Sequence, residues 1–206
     1  HRRIFGFGSN DGLTRNAYAS VAHRLMCNNQ ISLIMGKASQ SSFGMSHTKN
    51  WEAQWYNAQV NFDLALQGHK DFETLANKLD RLRMNVGEAR GFATELLPDP
   101  TYKDEKKRRK TNRLVNRRED IVDLFVNGAG NLGQTRWDAL NAVTEYLDHH
   151  NQSNKLQGKH AERNAQRRFM SNLRGSGDRV KQKAVMLLGN NVRTFKEINE
   201  PQYVNV

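Results

Sequence analysis

Residues 135–149 read Thr135-Arg136-Trp137-Asp138-Ala139-Leu140-Asn141-Ala142-Val143-Thr144-Glu145-Tyr146-Leu147-Asp148-His149, and this stretch decides how the rest of the chain is read. Thr135 is a natural helix N-cap, and Asp138 three residues on completes a capping pair. Trp137, Leu140, Val143, Thr144 and Leu147 then recur at helical spacing as one apolar stripe. The spacing predicts a helix over 135–150. Beside that stripe runs a polar one: Asn141, Glu145, Asp148 and His149. Glu145 and His149 stand four apart, as metal ligands on a helix often do. They are candidates for metal or acid–base chemistry, with His47 as a remote helper. Two ligands do not make a site, so no metal and no cofactor is assigned. The default for such a stripe is a solvated or hydrogen-bonded structural face.

Upstream, Gly128-Ala129-Gly130-Asn131-Leu132-Gly133 fits the dinucleotide pattern G-x-G-x-x-G. That pattern needs a strand before it, a helix after it and a second parallel strand within about 30 residues. Ile121 to Val126 could pass as the first strand, but His149-His150-Asn151-Gln152-Ser153-Asn154 is no strand. A loop entering a helix N-terminus, with amides open to a backbone phosphate, is the better expectation.

Further upstream, residues 103–118 form a dense basic run. Its candidates for nucleic-acid contact are Lys103, Lys106, Lys107, Arg108 and Arg109, followed by Lys110, Arg113, Arg117 and Arg118. On a helix Lys106, Lys110, Arg113 and Arg117 share a face, a spacing that can track a phosphate backbone. Leu114, Ile121, Leu124 and Phe125 follow, so a helix grows out of the run. Downstream, Lys159, Arg163 and Arg167 are spaced by four, with Arg168, Arg174, Arg179, Lys181 and Lys183 nearby. Two separated basic stripes suggest a groove lined from both sides, or a track across subunits. A polar linker at 151–160 precedes a helix at 160–173, and Gly175-Ser176-Gly177 separates it from a last helix with Val180, Ala184, Leu187 and Leu188 inward.

Toward the N-terminus, Trp51, Trp55, Ala58, Phe62 and Ala65 mark a helix from Asn50 to Gly68. Phe72, Leu75, Ala76, Leu79 and Leu82 mark a second. Asn85 with Glu88 caps a short third, which Leu97-Pro98 ends. Before residue 48 the pattern is that of strands: Ile4, Gly6 and Gly8 alternate with Phe5 and Phe7 ahead of the turn signal Ser9-Asn10-Asp11-Gly12. Residues 14–35 are ambiguous, with Tyr18, Val21, Leu25 and Met26 at helical spacing and Ile31 to Met35 as a short strand. Phe43 to His47 suits a strand that pairs back. The expected fold class is α+β: a short, truncated N-terminal antiparallel β region (1–48), then a mostly helical part (49–206), together one domain over 1–206. The opening at His1, inside a strand-like run, suggests that an N-terminal part is missing. Phe5, Phe7 and Tyr18 are stacking candidates, while the helical Trp and Phe residues read as core.

The formal net charge is +11, and a phosphate polymer is the commonest partner for such an excess. No run of about 18 apolar residues exists, which excludes a spanning helix. The lone Cys27 cannot form an internal disulfide and suits a reducing compartment, the cytoplasm.

Arg24-Leu25-Met26-Cys27-Asn28-Asn29, then His47-Thr48-Lys49-Asn50, then the block from Gly133 to His149 resemble a phage and plasmid family catalogued only as a domain of unknown function. Trp-x3-Asn-Ala-Val-Thr-Glu-Tyr-x-Asp-His is the most specific piece. The resemblance implies a mobile-element protein acting in the host cytoplasm. It draws attention to Arg24, Asn28, His47, Asn141, Glu145, Asp148 and His149. Strands followed by helices, with strong basic charge, are also similar to the Rad52-like single-strand annealing proteins. The expected function is therefore single-stranded DNA binding and annealing, by electrostatic contact and without ATP, in a homo-oligomeric ring or filament. The rivals are a nucleic-acid-processing enzyme using Glu145, Asp148 and His149, and a structural or interaction protein of a mobile element.

Overall fold

A computed structural model describes residues 2–7, 16–23, 30–32, 42–45, 67–68, 70–99, 105–151, 171–172, 175–190 and 193–203; in the four strands and over 105–111 it describes the backbone alone. The chain divides into two compact units, His1–Leu75 and Ala76–Val206. The helix expected at 50–68, the basic stripe at 159–174 and His47 lie largely or wholly outside the described residues.

In the first unit, β1 (Arg2–Phe7), β2 (Asn16–His23), β3 (Gln30–Ser32) and β4 (Ser42–Met45) form one antiparallel sheet. β2 is its centre. β1 pairs along one edge, with Arg2 opposite Ala22 and Phe7 opposite Ala17. On the other edge β4 covers the start of β2, Asn16 opposite Met45, and β3 covers its end, Val21 opposite Ser32.

The second unit is mostly helical, and no strand occurs among its described residues. We number its helices α1 (residues 70–81), α2 (Val86–Leu96), α3 (Glu105–Asn127), α4 (Arg136–Glu145) and α5 (Ser176–Gly189). A π turn, Tyr146–His150, continues α4. The α1 helix crosses the boundary between the units. Asn85 and Glu88 form a reciprocal capping box on α2, and Thr135 and Asp138 form another on α4, as their spacing predicts. Each satisfies two backbone N–H groups that have no partner within the helix. The α2 helix stops one residue before Leu97-Pro98.

The core gathers around α4, which packs against α3 on one side and α5 on the other. Leu140, Ala142 and Val143 are fully buried. Val115, Ile121, Val122 and Phe125 of α3 and Ala184, Val185 and Leu188 of α5 are buried too, as are Phe92 and Ala93 of α2, which packs on α3 and α5. This corrects the two-faced reading of α4. Asn141 and Glu145 of the polar stripe are buried along with the apolar one. A helix enclosed from both sides has no solvated face, so its polar groups must find partners inside. Thr144 donates its hydroxyl to the Asn141 carbonyl.

The stretch 121–126, which the dinucleotide pattern needs as a strand, is the end of α3. The three glycines that imitate that pattern serve local geometry. Gly130 and Gly133 have φ of 72° and 65°, a region costly for any residue with a Cβ. Gly128 is required by close approach: a Cβ there would lie 2.3 Å from the Leu124 carbonyl oxygen and 2.9 Å from both Asn131 Nδ2 and Glu145 Oε2. Backbone cannot yield as a flexible side chain does, so Gly128→Ala is expected to lose about 2–3 kcal/mol in urea denaturation.

A C-terminal segment, residues 193–203, carries no periodic signal, yet it lies across α2. Phe195 is buried, edge-on to Phe92 with ring centroids 5.4 Å apart.

Candidate functional site

The basic run becomes the first half of α3. The backbone is helical from Glu105, so positions 106, 110, 113 and 117 fall on one face, as their spacing predicts. Lys103 lies outside the described residues, and for Lys106, Lys107, Arg108, Arg109 and Lys110 only the backbone is described. Arg113 is exposed. Arg117 lies over the Tyr146 ring, its guanidinium carbon 5.8 Å from the centroid, and its Nε donates to the Tyr146 hydroxyl at 3.2 Å. The face therefore runs up to the π turn.

Three cations assigned from sequence to nucleic-acid contact, Arg118 in this run and Lys181 and Lys183 in the downstream stripe, serve the interior, a correction to the expected site. Arg118 is buried; it donates to the Leu97 carbonyl and to Asp99 Oδ1 at 2.9 Å, closing the C-terminal end of α2. Lys183 donates to the Glu95 and Leu96 carbonyls, two of the last acceptors of the same helix. Lys181 has no exposed surface, and its Nζ sits 2.7 Å from Asp148 Oδ1. A cation committed to an internal acceptor is not available to a polyanion. The spacing of lysines along α5 carries no sign of this, because the acceptors come from elements 33 and 87 residues away.

The polar residues of α4 and the π turn also have partners. Glu145 is buried; its carboxylate accepts from the Ala129 amide at 3.2 Å, and its Oε1 lies 3.9 Å from His150 Nε2. The glycine-loop amide that sequence reading left open to phosphate is thus taken by a carboxylate of the chain itself. Around the α4 N-terminus, the Gln134 and Thr135 amides donate to Asp138 Oδ2, and the Asp138 amide donates to Thr135 Oγ1. Asp148 accepts from Lys181 and from Asn172 Nδ2, each at 2.7 Å. Asn172 also donates to the Leu147 carbonyl, and a Cβ at residue 177 would stand 2.0 Å from Asn172 Oδ1. Gly177 is therefore what admits Asn172. His149 and His150 lie on the exposed side of the turn. Among the described residues no group of three or more His, Cys, Asp or Glu is placed to hold a metal ion.

Burial dominates the electrostatics here. It pushes the Lys181 ammonium below its ordinary value, against the opposing pull of Asp148. It raises the Asp120 carboxyl, a shift that Asp123 reinforces and that His150 and Arg117 oppose. It also raises Asp178, against a bond from Gln182 and the nearby Lys181 and Arg179. Asp178 Oδ1 is buried without a hydrogen-bond partner. A carboxyl whose folded value is raised binds its proton more readily folded than unfolded. Its burden therefore grows as pH rises from the unfolded value near 3.8 through the folded one. Asp178→Asn is expected to gain about 1 kcal/mol at pH 7 and to lose that advantage toward pH 4, which thermal melts at the two pH values read directly.

Sequence reading missed Tyr146, Asn172, Asp120 and His150. Tyr146 carried a signal as the tyrosine of the Trp-x3-Asn-Ala-Val-Thr-Glu-Tyr-x-Asp-His block, and His150 as the neighbour of His149 at the polar end of the helix.

Residues 1–174 match the family described as Domain of unknown function (DUF932). That span takes in the strands, α1 to α4 and the π turn; α5 and the C-terminal segment follow it. No curated protein and no solved structure matches the chain. Among the described residues no helix is long and apolar enough to cross a membrane.

Proposed function

We propose that this chain, which belongs to the DUF932 family, binds single-stranded DNA along the basic first half of α3. One observation carries the reading. Residues 105–118 hold eight cations and one acid, all on continuous helix, and they begin in its first turn. The N-terminal end of a helix is the positive end of its dipole, so cations there weaken the helix. Helix stability alone does not favour such an arrangement, and a bound polyanion offsets it. Arg118 turns inward and Arg117 is held against Tyr146, which leaves six of the eight for the partner. Internal ion pairs do not exhaust the charge either. Each consumes one cation and one carboxylate, so the surplus of 32 Lys and Arg over 21 Asp and Glu stays at +11.

The mechanism is electrostatic. Lysine and arginine side chains meet the phosphates and release their counterions, no ATP is required, and bases left free can pair with a second strand. One such helix covers only a few nucleotides, so annealing needs copies arranged as a ring or filament. A phage or plasmid source, action in the host cytoplasm and kinship with the Rad52-like annealing proteins are parts of the same proposal.

Fluorescence anisotropy with a labelled oligothymidine over a salt series tests it. If about six phosphates are neutralised, the log–log slope of affinity against salt is near −4. Affinity independent of salt, or no binding at low salt, contradicts the reading. Turnover of a nucleic acid that is lost in Glu145→Gln while binding persists points instead to an enzyme.

A further inference from the structure

We infer that residues 193–199 form a detachable strap, a segment that docks on α2 and opens without unfolding the helical body. The strap has a single anchor. Phe195 is buried, Ile198 is partly covered, and Arg193, Thr194, Lys196, Glu197 and Asn199 are exposed.

The seat on α2 is shaped for it. At Gly91 a Cβ would stand 2.0 Å from the Lys196 carbonyl oxygen, so the strap backbone lies directly on the helix at that point. Along the rim the Ile198 amide donates to the Gly87 carbonyl at 3.1 Å, Asn85 Nδ2 donates to Glu197 Oε1 at 2.7 Å, and an Arg90 guanidinium nitrogen donates to the Asn199 carbonyl at 2.6 Å. Arg193 pairs with Glu95.

A clasp fixes where the segment leaves α5. The Arg136 guanidinium donates to the carbonyls of Leu188, Asn190 and Arg193 and lies 5.3 Å from the centre of the Phe195 ring. Three carbonyls gathered by one side chain turn the chain back toward α2.

The balance of forces makes the strap separable. Seven ordered residues lose backbone freedom against one buried side chain and hydrogen bonds that are exposed along the rim and part-buried at Arg136. The α4 helix, by contrast, has Leu140, Ala142, Val143 and Thr144 fully enclosed. Segments with little buried surface and exposed hydrogen bonds open locally, well before the core does. Opening the strap would uncover Gly91 and the edge of Phe92, a groove sized for an extended segment with one aromatic anchor.

Amide hydrogen exchange on the full chain decides it. The Ile198 amide is expected to exchange at least a hundredfold faster than the Val143 amide in α4, through a local opening. Gly91→Ala improves the intrinsic helix propensity of α2 yet collides with the strap. It should speed Ile198 at least tenfold more while leaving Val143 within about threefold. Phe195→Ala, which removes the anchor without touching α2, should do the same. Equal protection of Ile198 and Val143 in the unsubstituted chain overturns the inference, as does a substitution that speeds both amides alike. If neither variant folds, the comparison within the unsubstituted chain still decides.

Discussion

Asp148→Ala is expected to cost the fold about 3–5 kcal/mol, the range for removing one partner of a buried ion pair. The pair joins the π turn to α5, and Lys181 has no exposed surface. Without Asp148 its ammonium stays enclosed and loses its hydrogen-bonded carboxylate, keeping only the unbonded attraction of Asp178. A chain of this length should then melt about 10 °C lower or more. Lys181→Met should cost much less. Asp148 keeps the Asn172 amide and sits close enough to solvent, 9% exposed, to be hydrated or protonated. The double variant Asp148→Leu/Lys181→Met should recover most of the loss, because an apolar pair of similar volume leaves no enclosed ammonium behind and Asn172 still donates to the Leu147 carbonyl. Urea denaturation of the four proteins measures the coupling. Burial already lowers Lys181 in the folded state, so the unfolded chain holds that proton more firmly. Stability contributed through Lys181 therefore rises with pH as the folded and then the unfolded ammonium titrate, and the Asp148→Ala deficit should shrink as pH approaches 10. An additive cycle with a deficit that does not change with pH would show that the pair has no special role.

Reversing charge on α3 should have the largest effect on binding. Lys106→Glu, Lys110→Glu and Arg113→Glu together remove three cations that neutralise phosphates and place three repulsions in their stead. Affinity for single-stranded DNA should fall about a hundredfold or more, and the salt slope should flatten by about 2, near 0.7 for each phosphate no longer neutralised. The same change on α5 at Lys183, whose ammonium is committed to the end of α2, should lower stability and leave the slope nearly unchanged. Anisotropy and thermal melts on the two variants separate the roles.

Local signals were legible in the sequence because their causes are local. Asn85 with Glu88, and Thr135 with Asp138, declare their helix starts within four residues, and Leu97-Pro98 declares an end. The enclosure of α4 was not legible. Asn141 and Glu145 read as part of a polar stripe, solvated or hydrogen-bonded, and the packing of α3 and α5 against α4 makes them internal. The partner of Asp148 lies 33 residues away on α5, and that of Glu145 lies in a glycine loop whose letters imitate a nucleotide site. The strap was illegible for a further reason. Its key position, Gly91, sits on the partner helix, where a glycine looks like a weakness in α2 and not like room for another backbone.

Ultraviolet cross-linking of a single-stranded oligonucleotide to the full chain, with mass spectrometry of the adducts, tests the central claim most directly. Adducts should concentrate on the segment from Lys103 to Arg117 and fade as salt rises. Adducts absent from that segment and gathered instead around Glu145, His149 and His150 would contradict it.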